Sequence, residues 1–165
     1  KKDYSQMKLS TLQLFAASLL FAGMATGCCT PQQYIEGTPQ VAHAAAERNF
    51  NVSINYVRPQ RMSSRYISPG YGVRIKGDSI VSDLPFFGVS HRADFDSESP
   101  LRFAAPIDDY SVEPTKRGGT RVKASVRHKQ EKLIYDFLLG ANGEVTLNVL
   151  SVFRDDIGYS GDLTE

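Results

Sequence analysis

The sequence predicts a mainly β chain, a small antiparallel meandering barrel preceded by one short helix, with a two-sheet sandwich as the competing architecture. Three observations carry this expectation. From Asn49 onward apolar residues recur at every second position through eight or so short runs; reversal signals separate the runs; and helical sequence is confined to a short alanine-rich stretch before them. A half-polar strand places one face on a core and the other in water, which suits either architecture. Closure into a barrel is favoured because it leaves no exposed strand edges.

Residues 1–27 read as an address that precedes the fold. Lys1, Lys2 and Lys8 supply positive charge, Leu9 to Ala25 is mostly apolar, and Ala25-Thr26-Gly27 ends the stretch with small residues before Cys28. This is the pattern of a secretory signal, and the small residues before a cysteine resemble a bacterial lipobox, in which Cys28 becomes the acylated first residue. Ala25 stands where such signals more often carry leucine. Acyl chains gain about 0.8 kcal/mol per buried methylene, so several of them give a stable membrane anchor. Once Cys28 carries lipid, Cys29 has no cysteine partner in the chain, which excludes a disulfide scaffold and a four-thiolate metal site. Residues 28–40 hold Pro31, Pro39 and Gly37 and little to bury, and are expected to act as a tether.

A single domain is expected over 41–165. Residues 41–48, VAHAAAER, favour a short surface helix. Phe50, Val52, Ile54 and Tyr56 then alternate with polar residues until Pro59. Tyr71, Val73 and Ile75 lead through Lys76-Gly77-Asp78 into Ser79-Ile80-Val81; Leu101, Phe103 and Ala105 follow, with Ile107 and Tyr110 beyond Pro106. Val122, Ala124, Val126 and His128 form the next ladder, Lys129 to Lys132 are expected to reverse the chain, and Leu133, Tyr135, Phe137 and Leu139 continue it. Ala141-Asn142-Gly143 signals a hairpin, because Asn-Gly tolerates positive φ. Val145, Leu147 and Val149 come next, and Tyr159 to Leu163 are expected to close the sheet.

Charge narrows the function. Losing residues 1–27 would remove Lys1, Lys2, Lys8 and Asp3, so 19 basic and 18 acidic residues become 16 and 17 and the formal charge moves from +1 to −1. That balance gives no reason to expect a nucleic-acid partner, which calls for a strongly basic face.

The stretch Leu84-Pro85-Phe86-Phe87-Gly88 resembles the Leu-Pro-aromatic-Phe-Gly segment of small lipoproteins from Bacteroides-type Gram-negative bacteria, grouped as domain-of-unknown-function family 4251 (DUF4251). Asn49-Phe50, Pro59, Ser64-Arg65-Tyr66, Gly77-Asp78, Leu101-Arg102-Phe103, Asp109-Tyr110, Ser151 to Arg154 and Ile157 to Gly161 fall in the matching order. The resemblance implies a lipocalin-like or related antiparallel barrel and a place in the cell envelope, with the domain on the periplasmic side of the outer membrane. It transfers no functional residues.

Pro85 fixes φ and removes a backbone donor, so a regular central strand ends there. Leu84, Pro85, Phe86, Phe87 and Gly88 are therefore expected to turn a corner and plug one end of the barrel with aromatic rings, or else to form a lip over an apolar pocket. His43, His91 and His128 show no metal-binding spacing, and no cofactor is expected. Ser90, His91 and Asp94 lack the turn that exposes a nucleophilic serine, so no catalytic set is assigned. Asp94, Asp96 and Glu98 read as a solvated loop without the glycine turn of a calcium site. Asp108-Asp109 and Asp155-Asp156 are carboxylate pairs of unassigned role. Arg117, Arg121, Lys123, Arg127 and Lys129 read as a solvated sheet face, with anionic headgroups or glycans as the alternative partner. The expected function is non-catalytic: a membrane-anchored lipoprotein that binds a small ligand or an envelope component, with a protein-interaction module and, last, a hydrolase as alternatives.

Overall fold

The computed structural model describes residues 39–91 and 101–164. The lipobox with Cys28, the stretch up to Thr38 and the acidic loop with Asp94, Asp96 and Glu98 lie outside them. One helix, α1 (Pro39–Ala46), is followed among the described residues by strands β1 (Asn49–Pro59), β2 (Arg65–Tyr66), β3 (Gly72–Lys76), β4 (Ser79–Leu84), β5 (Leu101–Pro114), β6 (Thr120–His128), β7 (Glu131–Leu139), β8 (Glu144–Ser151) and β9 (Ile157–Thr164). Each strand from β3 to β9 pairs antiparallel with its sequence neighbour, β3 pairs with β1, and β9 returns to β1 along its whole length. The result is a closed eight-stranded antiparallel barrel, with the two-residue β2 appended beside the end of β1.

The helix begins at Pro39, where the fixed φ and missing N–H of proline suit a first turn. It buries Val41 and Ala45, and the Tyr110 hydroxyl donates to the Ala45 carbonyl at 2.6 Å. Arg48 ends it in a left-handed conformation, φ 53°, and its carbonyl accepts from Gly77. By strand direction α1 lies at one end of the barrel with the Gly77-Asp78 and Asn142-Gly143 turns. The rim at the other end carries the β1–β2, β4–β5, β6–β7 and β8–β9 connections.

Inward residues follow the period of two, with two interruptions. Phe50, Val52 and Ile54 are buried, but a bulge against β9 at Asn55 flips the parity, so Val57 enters the core and Tyr56 turns outward to meet the Tyr66 ring edge-on at 4.9 Å. A second bulge at Asp108 explains the spacing of three between Ile107 and Tyr110. Pro106 is tolerated in mid-strand because β5 changes partner there. Its last β4 pair is Ser79↔Pro106 and its first β6 pair is Ile107↔Val126. The Ile107 N–H reaches Asp78 on the β4 side, so the donorless nitrogen faces the β6 side before that ladder begins.

The centre is filled by aromatic rings. Tyr135, Phe137, Leu147 and Tyr159 have no accessible surface, so no water-sized space adjoins them. Two phenols cross to β4: Tyr135 donates to Ser82 Oγ at 3.0 Å, which donates onward to the Leu101 carbonyl at 2.7 Å, and Tyr159 donates to the Pro85 carbonyl at 2.8 Å. Burial pushes both phenols well above their ordinary pKa.

Candidate functional site

The corner at Leu84 to Gly88 sits on the rim, as its proline requires. Leu84 is buried as the last core residue of β4, and the Pro85 carbonyl is held by Tyr159. Phe86 and Phe87 are only half-buried. Each ring is faced by a guanidinium, Arg154 at 5.7 Å from Phe86 and Arg65 at 4.0 Å from Phe87. Gly88 has no room for a side chain: a Cβ there would stand 2.8 Å from Phe86 Cζ and 3.2 Å from Asp155 Cβ. Both rings pack against the edge of the core and are faced by guanidinium groups from the rim side.

Asp155 fastens three rim loops together. It follows β8, its carboxylate accepts the Val89 N–H at 3.0 Å, Arg61 reaches it at 3.0 Å from the β1–β2 loop, and His91 Nε2 lies 3.3 Å away. Its own N–H donates to the Val89 carbonyl, and His91 N–H donates to Phe153. The Asp155 side chain is almost wholly buried, yet its carboxyl is held below the ordinary pKa, first by the Val89 N–H and then by Arg61 and His91. Beside it, Arg154 Nε donates to both oxygens of Glu131 at 3.0 and 2.9 Å, with both side chains buried. Ser151 Oγ completes Glu131 and accepts the Phe153 N–H. His128 stacks on Phe103 at 4.3 Å, and burial followed by Lys129 lowers its pKa.

Several sequence expectations change here. Glu131 belongs to β7 and points inward to a buried arginine, whereas the reversal uses Lys129-Gln130 alone, with Lys129 at φ 51°. The carboxylate beside His91 is Asp155 from the far end of the chain. Two basic side chains of the expected solvated face stay exposed while pairing across strands: Arg121 binds Asp136 at 2.8 and 2.5 Å, and Arg127 lies 3.3 Å from Asp108. Asp136 raises the Arg121 pKa. Sequence reasoning missed Arg61, Glu131 and Arg154 as members of one cluster: the β7–β8 pairing brings Glu131 to Arg154, and closure of β9 onto β1 brings Arg61 to Asp155. No group of three metal-ligating side chains occurs among the described residues.

The rim also exposes apolar side chains. Met62, Val89 and Val152 stand 52, 49 and 77% exposed on the fastened loops, and Tyr66 of β2 is 81% exposed. At the opposite end, a groove of about 520 Å³ runs between α1, the β7–β8 turn and the ends of β1 and β9.

A small closed β-barrel with a packed centre and an ion-paired rim is the class of protein that this geometry defines. The chain belongs to the family described as domain of unknown function DUF4251, which it matches over residues 33–163. It is similar in fold to a DUF4251 family protein of known crystal structure from Bacteroides eggerthii DSM 20697, at 14% identity and a TM-score of 0.54, over 75% of this chain and 85% of that one. None of the curated proteins shows a significant match.

Proposed function

We propose that this chain is a non-catalytic envelope lipoprotein, a lipocalin-like barrel that recognises another envelope protein through its rim and does not carry a small ligand inside. The observation behind this reading is the pairing of a filled interior with an apolar rim. Tyr135 and Tyr159 occupy the space where a carrier would hold its cargo. Met62, Val89 and Val152, by contrast, are displayed on loops that Asp155 already holds in place. A pre-fastened apolar surface loses little conformational freedom on binding, which favours association with a protein partner.

The non-catalytic part is supported by saturation of the rim carboxylates. Glu131 is committed to Arg154 and Ser151, and Asp155 to Val89, Arg61 and His91. Asp155, whose carboxyl is held below its ordinary pKa, is a poor proton acceptor. Attachment through Cys28 and a periplasmic outer-membrane location belong to the same proposal and rest on the sequence pattern and family resemblance.

Native mass spectrometry of gently extracted protein tests this reading. The expected result is a complex with a protein partner and no retained small molecule, with the complex lost in a Met62→Glu, Val152→Glu variant that melts as the wild type does. A retained small molecule, or a complex indifferent to both substitutions, overturns it.

A further inference from the structure

The groove at the α1 end differs from the rest of the surface in its chemistry. In a chain whose residues are 22% charged, none of the described residues lining it carries a charge. Its floor is apolar, from Val41 and Ala44 of α1, Phe50 of β1 and Leu163 of β9. Its walls include Gln40, Asn49, Asn51 and Asn142 from three separate elements; Asn51 Oδ1 accepts from Arg74 Nε at 2.8 Å, and the other three are exposed. The turn beneath is rigid. The Leu163 N–H donates to the Gly143 carbonyl at 2.8 Å, and Asn142 Oδ1 accepts the Glu144 N–H at 3.2 Å, which leaves the Asn142 amide group as a donor.

A carboxamide donates and accepts together, so several around one groove match the hydroxyl groups of a sugar. An ionic ligand would lose hydration here and meet no charged side chain among the described lining residues, the neighbouring Arg74 being bonded to Asn51. The volume, about 520 Å³, falls within the roughly 300–1,000 Å³ usual for small-ligand sites, and the mixed polar and apolar lining suits a ring with hydroxyls on its edge and C–H groups on its face. We infer that the groove between α1 and the Asn142-Gly143 turn is a binding site for an uncharged glycan. It lies at the end of the barrel opposite the rim and is independent of the rim-docking reading.

The test is an NMR titration of the ¹⁵N-labelled full chain with the neutral trimer of N-acetylglucosamine, following the side-chain amide signals. Saturable shifts confined to Gln40, Asn49, Asn51 and Asn142 are expected. A Gln40→Ala, Asn49→Ala variant, which breaks no contact within the barrel, should bind about tenfold more weakly, as the loss of two net hydrogen bonds implies, and should melt unchanged. The rim variant Met62→Glu, Val152→Glu should bind the trimer normally, so failure at one end of the barrel is distinguishable from failure at the other. Shifts spread evenly over the surface, an unweakened double variant, or equal shifts with an uncharged peptide or with a sulfated sugar would each overturn the assignment.

Discussion

The carboxylate of Asp155 and the backbone N–H of Val89 meet at 3.0 Å, 66 residues apart in sequence, and join the end of β8 to the Leu-Pro-Phe-Phe-Gly corner. Arg61 and His91 face the same carboxylate. Because its folded pKa is depressed, the stability that Asp155 contributes is present above the ordinary value of 3.8 and is lost as pH falls through the lower folded value. Asp155→Asn should therefore melt lower than wild type at pH 7 and show a shallower decline below about pH 4. Thermal melts across that range decide it, and parallel acid limbs would assign the decline to other carboxylates.

The Glu131–Arg154 pair is buried on both sides. Arg154→Met alone leaves an unpaired buried carboxylate and should cost about 3–5 kcal/mol, whereas Glu131→Leu with Arg154→Met should recover most of that loss. Urea unfolding of the two single variants and the double variant measures the coupling; additive losses would mean that the pair does not act as a unit.

The two residues of the corner that most resemble core should separate in their cost. Leu84 has no exposed surface, so Leu84→Ala should lose about 2–5 kcal/mol. Phe87 is half-exposed beneath Arg65, and Phe87→Ala should lose only about 1–2 kcal/mol. Equal losses in urea unfolding would place Phe87 in the core after all.

Alkaline pH should open the barrel through its phenols. Tyr110 is pushed up to about 12 by burial, against lowering by Arg48, and Tyr135 and Tyr159 are raised as well. The stability these groups contribute is complete below their ordinary value of 10.0 and is lost as pH rises above it, because the unfolded chain releases protons first. Absorbance of ionised tyrosine should show three groups that stay silent until unfolding, and Tyr159→Phe should reduce the number by one. Smooth titration of every tyrosine near pH 10 in folded protein would contradict this.

Glycine tests closure of the wall. A Cβ on Gly161 would stand 1.8 Å from the Ser53 carbonyl oxygen, which is backbone and cannot swing aside. Gly161→Ala should prevent β9 from zipping onto β1, seen as loss of the cooperative melt. Gly88→Ala meets the tip of a side chain and should cost only about 1–3 kcal/mol.

The ladders of β6, β7 and β8 were readable in the sequence because Val122 to Val126, Leu133 to Leu139 and Val145 to Val149 carry an apolar residue at every second position facing one core. The inward turn of Val57 was hidden, since a bulge at Asn55 leaves no mark in residue type and its cause is the fit to a strand a hundred residues away. Glu131 looked like a turn residue because its polarity speaks for solvent, and only the arrival of Arg154 makes its burial affordable. The Leu-Pro-Phe-Phe-Gly corner was visible through the constraint of Pro85. Its fastening to Asp155 was not, because non-local ion pairs have no period.

The pairing of β1 with β9 also orders events in time. Among the described strands of the barrel, the first to be synthesised hydrogen-bonds to the last, so the wall cannot be finished until residue 164 is available. Until then Phe50, Val52 and Ile54 lie along an unzipped seam. Folding dominated by so distant a contact should be slow and sensitive to aggregation during synthesis, and a chain ending before Ile157 should depend on a chaperone to stay in solution.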